Sequence, residues 1–265
     1  MTEQIEPIVR QAGAIVLSAH DIGESVQSKG LACDLVTKYD SAVQAFLREE
    51  LLEAFPDAGF YGEEEDVCDI SGKRRYFIVD PIDGTTNFIR GLHHSCISVA
   101  LCEEGEIVAA AVYNPYLDEM FTAERGKGAF LNGERLQITQ PTLDNSLVLF
   151  GSAIYYRETV PATLRFVKEL FPRVLDFRRG GSAALDLCYL AAGKADLFFE
   201  CCLRPWDYAA GSLIVTEAGG TVTALDGTPL RFFDRCSVAA GNSKNHAELI
   251  EISKNIAKEP NICIR

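Results

Sequence analysis

Between Tyr76 and Leu131 the chain is rich in strand signals, and this limits most strongly the folds open to it. Tyr76-Phe77-Ile78-Val79 is a short apolar run that stops at Asp80-Pro81. Ile97 to Cys102 and Ile107 to Tyr113 flank Glu103-Glu104-Gly105-Glu106, which reads as a hairpin turn. Glu119 to Ala123 and Gly128 to Leu131 continue the series, and Asn132-Gly133 is another turn. Two helices precede this block. The first carries apolar residues at three- and four-residue steps from Ile5 through Ile8, Val9, Ala12, Ile15, Val16 and Ala19 to Ile22. The second follows Asp40 as N-cap, buries Val43, Phe46, Leu47 and Leu51, and closes at Pro56.

Beyond about Pro141 the pattern changes to alternation. Leu147 to Phe150 and Ala195 to Glu200 read as strands, with a late one at Val238 to Ala240. Helices are expected over Ala162 to Leu170, Ser182 to Ala192 and Asp207 to Ala218, with Asp207 as an N-cap. This predicts an α/β (α+β) fold in two parts that share a tight interface. Residues 1–140 would form an N-terminal α+β subdomain and residues 141–265 a C-terminal α/β subdomain.

Composition narrows the partners. The chain has 265 residues, long enough for a substantial core, and 38 Asp and Glu against 25 Lys and Arg give a net charge of −13. That balance opposes a broad basic face for a phosphate backbone, so no nucleic-acid partner is expected. No run approaches the ~18 apolar residues of a membrane span, and the N-terminus lacks the pattern of a signal peptide. The nine cysteines (33, 68, 96, 102, 188, 201, 202, 236 and 263) show no C-x-x-C pair. They read as reduced thiols, mostly buried, in a cytoplasmic protein without a structural zinc. The vicinal Cys201-Cys202 gives no ground for a redox role.

The chemistry concentrates in Asp80-Pro81-Ile82-Asp83-Gly84-Thr85-Thr86-Asn87. Two carboxylates follow an apolar strand and precede a Gly-Thr-Thr turn. Converging acidic oxygens repel one another unless a cation lies between them, and hard oxygen ligands suit Mg²⁺. Gly84 leaves the backbone room to turn, and N–H groups at Gly84, Thr85 and Thr86 could cradle an anion. The alternative is a turn whose aspartates cap backbone groups. Gly62-Glu63-Glu64-Glu65-Asp66 and Trp206-Asp207 are two further acidic elements that, alone, read as a solvated run and a helix cap.

Taken together the elements resemble the inositol monophosphatases, within the magnesium-dependent, lithium-sensitive sugar-phosphatase superfamily. The matching stretches are Asp34-Leu35-Val36-Thr37 with Asp40, Gly62-Glu63-Glu64, Asp80 through Phe88, Gly181-Ser182-Ala183-Ala184, and Trp206-Asp207 leading to Glu217-Ala218-Gly219-Gly220. They span Lys29 to about Asn242. The resemblance implies a layered α-β-α-β-α sandwich. It also implies hydrolysis of a small polyol monophosphate, inositol phosphate first, by a metal-activated water with two or three Mg²⁺ ions. Glu63, Asp80, Asp83, Asp207 and the Ile82 carbonyl would be ligands, with Asp80 bridging two metals. Glu63 and Thr85 would position the water, and Asp40 would accept from the Thr85 hydroxyl. Asp83, Gly84, Thr85, Gly181, Ser182, Ala183, Glu200 and Asp207 would meet the substrate.

Fructose 1,6-bisphosphatase, histidinol-phosphate phosphatase and 3′-phosphoadenosine nucleotide phosphatase share the implied site. Arg178, Arg179 and Arg204 are candidates for a second anionic group. Relatives of this kind are commonly homodimers, and some bacterial ones bind the transcription machinery, a regulatory alternative to catalysis. His93 and His94 stand where the family often has Pro and Phe, and read as loop or interface residues, with contact to a substrate as the alternative.

Overall fold

The structure is a computed structural model and describes residues 1–20, 22–28, 35–64, 70–152, 154–258 and 264. Asp34, Glu65, Asp66, Cys33, Cys68 and Cys263, singled out above, lie outside the described residues.

In chain order the elements are α1 (Thr2–Leu17), β1 (Gln27–Ser28), β2 (Leu35–Val36), α2 (Lys38–Ala54), β3 (Gly59–Gly62), β4 (Arg75–Asp83) and α3 (Thr85–Ile89). Then come β5 (Cys96–Glu103), β6 (Glu106–Asn114), β7 (Glu119–Glu124), β8 (Gly128–Leu131) and β9 (Glu134–Arg135). The rest comprises β10 (Leu147–Phe150), α4 (Val160–Leu170), β11 (Asp176–Arg178), α5 (Ala183–Ala191), β12 (Leu197–Leu203), α6 (Pro205–Glu217), β13 (Thr221–Thr223), β14 (Cys236–Gly241) and α7 (Ser243–Ile256).

Strands β3 to β9 form a seven-stranded sheet in sequence order. Only the β3–β4 pair in it is parallel. The second sheet has five strands in the order β11-β10-β12-β14-β13. Side chains alternate along the strands, so each sheet serves two cores. Phe77, Val79, Val99 and Leu101 pack with Ile5, Val9, Val43 and Leu47 of α1 and α2. Ile78, Ala100 and Phe121 pack on the other face against α5 and α6, whose far side meets Leu149, Phe198 and Val238 of the five-stranded sheet. Val148, Phe199 and Ala239 turn away to Phe166 of α4 and Leu249 of α7. The layers therefore run α-β-α-β-α, as the resemblance implied.

Several local expectations are corrected. The first helix ends at Leu17, before Ala19 and Ile22, and Ile22 lies in a separate 3₁₀ turn. Asp40 is not the N-cap of α2. Thr37 takes that place and Asp40, three residues on, accepts from the Thr37 N–H, the two arms of a capping box. Asp207 likewise sits at the third position of α6 and accepts from the Arg204 N–H at 2.7 Å. Strand β4 does not stop at Asp80-Pro81 but runs to Asp83. Its register against β5 shifts there, with Asp80 opposite Ser98 and Asp83 opposite Cys96, so β4 holds one extra residue. Pro81 is tolerated because a bulge needs no ladder donor at that point and β3 has already ended opposite Val79.

Candidate active site

The bulged end of β4 delivers the central acids. One oxygen each from Asp80, Asp83 and Asp207 lies within 4.8 Å of the others. Asp80 and Asp83 are buried and Asp207 is half-buried at the start of α6. Asp80 accepts from the Ile82 N–H at 3.0 Å, which folds the bulge around its own carboxylate. Asp83 Oδ2 receives the Ser182 hydroxyl at 2.6 Å and the Ala184 N–H at 2.8 Å, both from the start of α5. The Cys96 thiol lies 4.0 Å from the same oxygen. Three donors gather on one oxygen, leaving Asp83 Oδ1 for another partner.

Electrostatics marks the cluster as short of positive charge. Burial pushes the Asp80 carboxyl well above the usual carboxylate range, and the charges of Glu63, Asp83 and Asp207 push it further. Burial raises Asp83 to about 7 despite the donors from Ser182 and Ala184. Asp207 rises through loss of water contact and the charges of Asp83 and Glu63. All three shifts point the same way: these carboxylates are poorly compensated by the protein itself. Converging hard oxygens in need of positive charge fit a divalent cation of the Mg²⁺ type.

Glu63 follows β3 and acts on Asp40, Asp80, Asp83 and Asp207 alike, so it belongs to the same cluster. Its turn is pinned twice, by the Glu63 N–H on the Val79 carbonyl and the Glu64 N–H on Gln44 Oε1. Thr85 opens α3, just after Gly84, whose φ of 90° is left-handed. Its hydroxyl lies 3.1 Å from the Ile82 carbonyl and 3.5 Å from Asp40 Oδ1. Asp40 is almost wholly buried, and its other oxygen is held by the Thr37 N–H and hydroxyl at 2.8 and 2.5 Å.

The expected substrate end assembles beside this cluster. Gly181, with φ of 87°, leads into Ser182, whose hydroxyl is directed to Asp83. Ala183 starts α5. Glu200 on β12 is buried and close enough to raise the Asp207 carboxyl further. A methyl group at Gly151 would come 1.7 Å from Glu200 Oε2, so that carboxylate lies flat against bare backbone. Of the three candidate arginines, Arg178 is committed to Asp176 at 2.5 Å. Arg204 lies over the Trp206 ring and Arg179 donates to Ser152 Oγ at 3.2 Å.

Two features were not read from the sequence. Cys96 and Asn87 support the site from below. Asn87 Nδ2 donates to the carbonyls of His94 at 2.7 Å and Gly180 at 3.0 Å, joining three segments. The six cysteines among the described residues are buried thiols outside any disulfide.

A family model described as the inositol monophosphatase family matches residues 1–258. The inositol-1-monophosphatase of Rhizobium meliloti is 43% identical over 242 residues, covering 88% of this chain and 89% of that protein. The Nus factor SuhB of Escherichia coli K12 is 40% identical over 221 residues, with 82% of both chains covered. The crystal structure of the extragenic suppressor protein suhB from Bartonella henselae superposes with a TM-score of 0.87 at 37% identity, covering 96% of this chain and 98% of that one. With this fold, these acids at the end of β4 and a match along nearly its whole length, the chain belongs to the inositol monophosphatase family.

Proposed function

We propose that the protein hydrolyses the phosphate monoester of a small polyol, inositol monophosphate first, with two or three Mg²⁺ ions. The observation that carries this reading is the convergence of Asp80, Asp83 and Asp207 within 4.8 Å, with carboxyls raised for want of positive charge. Glu63, Asp80, Asp83, Asp207 and the Ile82 carbonyl would hold the cations. Bound there, divalent cations neutralise phosphate charge and lower the pKa of a water.

The chain's own groups do the positioning. A hydroxyl has one proton, and Asp40 or the Ile82 carbonyl accepts it from Thr85. The lone pairs of Thr85 are then free to accept from an attacking water, with Glu63 as the second acceptor. Asp40 cannot turn away, because Thr37 holds its other oxygen. Gly84, Gly181 and Ala183 bring bare backbone and a small side chain to the substrate. Ser182 acts through Asp83, and Glu200 accepts a polyol hydroxyl. Positioning and charge neutralisation are most of what phosphoryl transfer requires.

In the same reading the protein is a cytoplasmic homodimer, sensitive to Li⁺, with metal ligands mostly in residues 1–140 and substrate contacts in 141–265. No helix among the described residues is long and apolar enough to cross a membrane. The test is a substrate panel spanning inositol monophosphates, fructose 1,6-bisphosphate, histidinol phosphate and 3′-phosphoadenosine nucleotides. Hydrolysis should vanish after EDTA treatment and return with Mg²⁺. Full activity in verified metal-free protein would sink the site assignment.

A second reading rests on the likeness to the Nus factor SuhB. Under it the chain serves as a partner of the transcription machinery. Pull-down with wild type and Asp80→Asn separates the two, since capture without hydrolysis of any ester favours the binding role.

A further inference from the structure

Asp186 is a charged residue in the first turns of a helix whose other residues are almost all apolar and buried, and its side chain is only 3% exposed. It lies beside His94, with Asp186 Oδ1 at 3.6 Å from His94 Nε2. His94 Nε2 is itself buried and has no hydrogen-bond partner within normal range among the described residues. Gly180 passes through the gap next to the pair. A methyl group there would come 2.1 Å from Asp186 Oδ1 and 2.7 Å from His94 Nε2, so glycine is needed for space. The Asn87 amide then ties the backbone on both sides, through the His94 and Gly180 carbonyls. Gly84 closes the same knot, since a methyl on it would come 3.0 Å from the His94 carbonyl and 3.2 Å from that of Gly181.

The consequence lies two residues further along. Residues 180–184 form the turn that supplies both the Ser182 hydroxyl and the Ala184 N–H to Asp83 Oδ2. These donors decide which way the Asp83 carboxylate faces. The turn in turn is placed by what holds Gly180 and the first turns of α5 to the segment carrying His94. We propose that His94 and Asp186 are a positioning pair for the cation site. They act by fixing the 180–184 turn, so that Ser182 and Ala184 orient Asp83 toward the cation. Neither residue touches substrate or cation in this scheme. The inference rests on the functional reading above for the nature of the cation, and on the hydrogen-bond geometry for everything else.

Partners that orient a metal ligand typically alter affinity by about 10–100-fold when removed. Mg²⁺ binding should be measured by calorimetry on the full-length protein as wild type, His94→Ala, Asp186→Asn, Ser182→Ala and the His94→Ala/Ser182→Ala double variant. The expected result is binding weaker by about tenfold in His94→Ala and in Asp186→Asn, at the low end because they act at one remove. The Mg²⁺ concentration for half-maximal hydrolysis should rise by the same factor, with kcat at saturating Mg²⁺ retained. The double variant should lose less than the product of the two single losses, because both changes loosen the same hold on Asp83 Oδ2, of which only the Ala184 N–H then remains.

His94→Gln, which keeps a polar group facing Asp186, should recover part of the loss and replaces His94→Ala if that variant does not fold. Unchanged Mg²⁺ binding in folded variants overturns the proposal, and so do losses that multiply in the double variant. Wild-type protein that binds no Mg²⁺ overturns the reading of the site itself. Binding without hydrolysis of any ester removes the phosphatase reading and leaves the positioning pair standing.

Discussion

Glu124 and the Asp80–Asp83–Asp207 cluster are carboxylates drawn out of water, and they meet the cost of burial in opposite ways. Glu124, at the end of β7, accepts from the Met1 ammonium at 2.6 Å and the Thr2 N–H at 2.8 Å, and pairs with Lys127. Against the penalty of burial these partners hold its carboxyl down to about 2. Among the described residues no ammonium or guanidinium pairs with the three aspartates of the cluster, and their carboxyls are pushed up. A buried acid supplied with its own cation tethers one segment to another. Acids left without one form a site that needs something from outside the chain.

That contrast can be broken most easily at Asp80. Asp80→Asn should lower kcat/KM for a phosphate ester on the order of 10³-fold, as for loss of a main electrostatic group. The same variant should melt at a higher temperature than wild type in EDTA, because it removes a repelled buried charge. A lower melting temperature there would place Asp80 with Glu124, as a structural acid. Next in size is Thr85→Ala, expected to cost roughly 10²-fold in kcat as a positioning loss. Calorimetric Mg²⁺ binding should be unchanged, and its disappearance would make Thr85 part of the cation site.

The two regions should also titrate with opposite signs. Asp83 has a folded value of about 7 against an ordinary value of 3.8. A raised folded value means the native state holds more protons than the unfolded chain across that window. Stability should therefore be fully present below about pH 4 as far as Asp83 is concerned, and be lost as pH rises through about 7. Glu124, at about 2 against an ordinary 4.5, should lose its contribution only as pH falls from 4.5 toward 2. Melting temperatures in EDTA should thus decline between pH 5 and 8, and saturating Mg²⁺ should flatten that slope. A decline of equal steepness with Mg²⁺ would remove the cation from the explanation. The smallest effect is Glu124→Gln, which should cost about 1–3 kcal/mol of stability by leaving charged donors badly paired. Its kcat should match wild type, and a changed kcat would erase the distinction between the regions.

Periodicity made much of this architecture legible. Phe77 and Val79 against Ile78 already say that β4 is buried on both faces, and Glu104-Gly105 and Asn132-Gly133 place their turns through left-handed backbone. What a linear pattern cannot carry is the partner across a sheet or at the start of a distant helix. Ser182 was readable as a helix start, but its bond to Asp83, 99 positions away, was not. Capping was misplaced at Asp40 and Asp207 for a related reason. An acid at the third helical position and one at the cap look alike until the backbone shows which N–H it accepts. Asp186 did leave a trace, as a lone charge in Ala183-Ala184-Leu185-Asp186-Leu187-Cys188, although a trace of that kind names no partner.

A β-strand counts in twos, so residues 80 and 83 of an unbroken β4 would face opposite layers. The extra residue against β5 changes the count. Ile82 joins Phe77 and Val79 in the layer of α1 and α2, while Asp83 comes round to the side of Cys96 and Asp80. One inserted position thus acts as a parity switch. It turns an odd spacing along the chain into a shared address in space, and it keeps an isoleucine as the greasy plug behind two neighbouring charges.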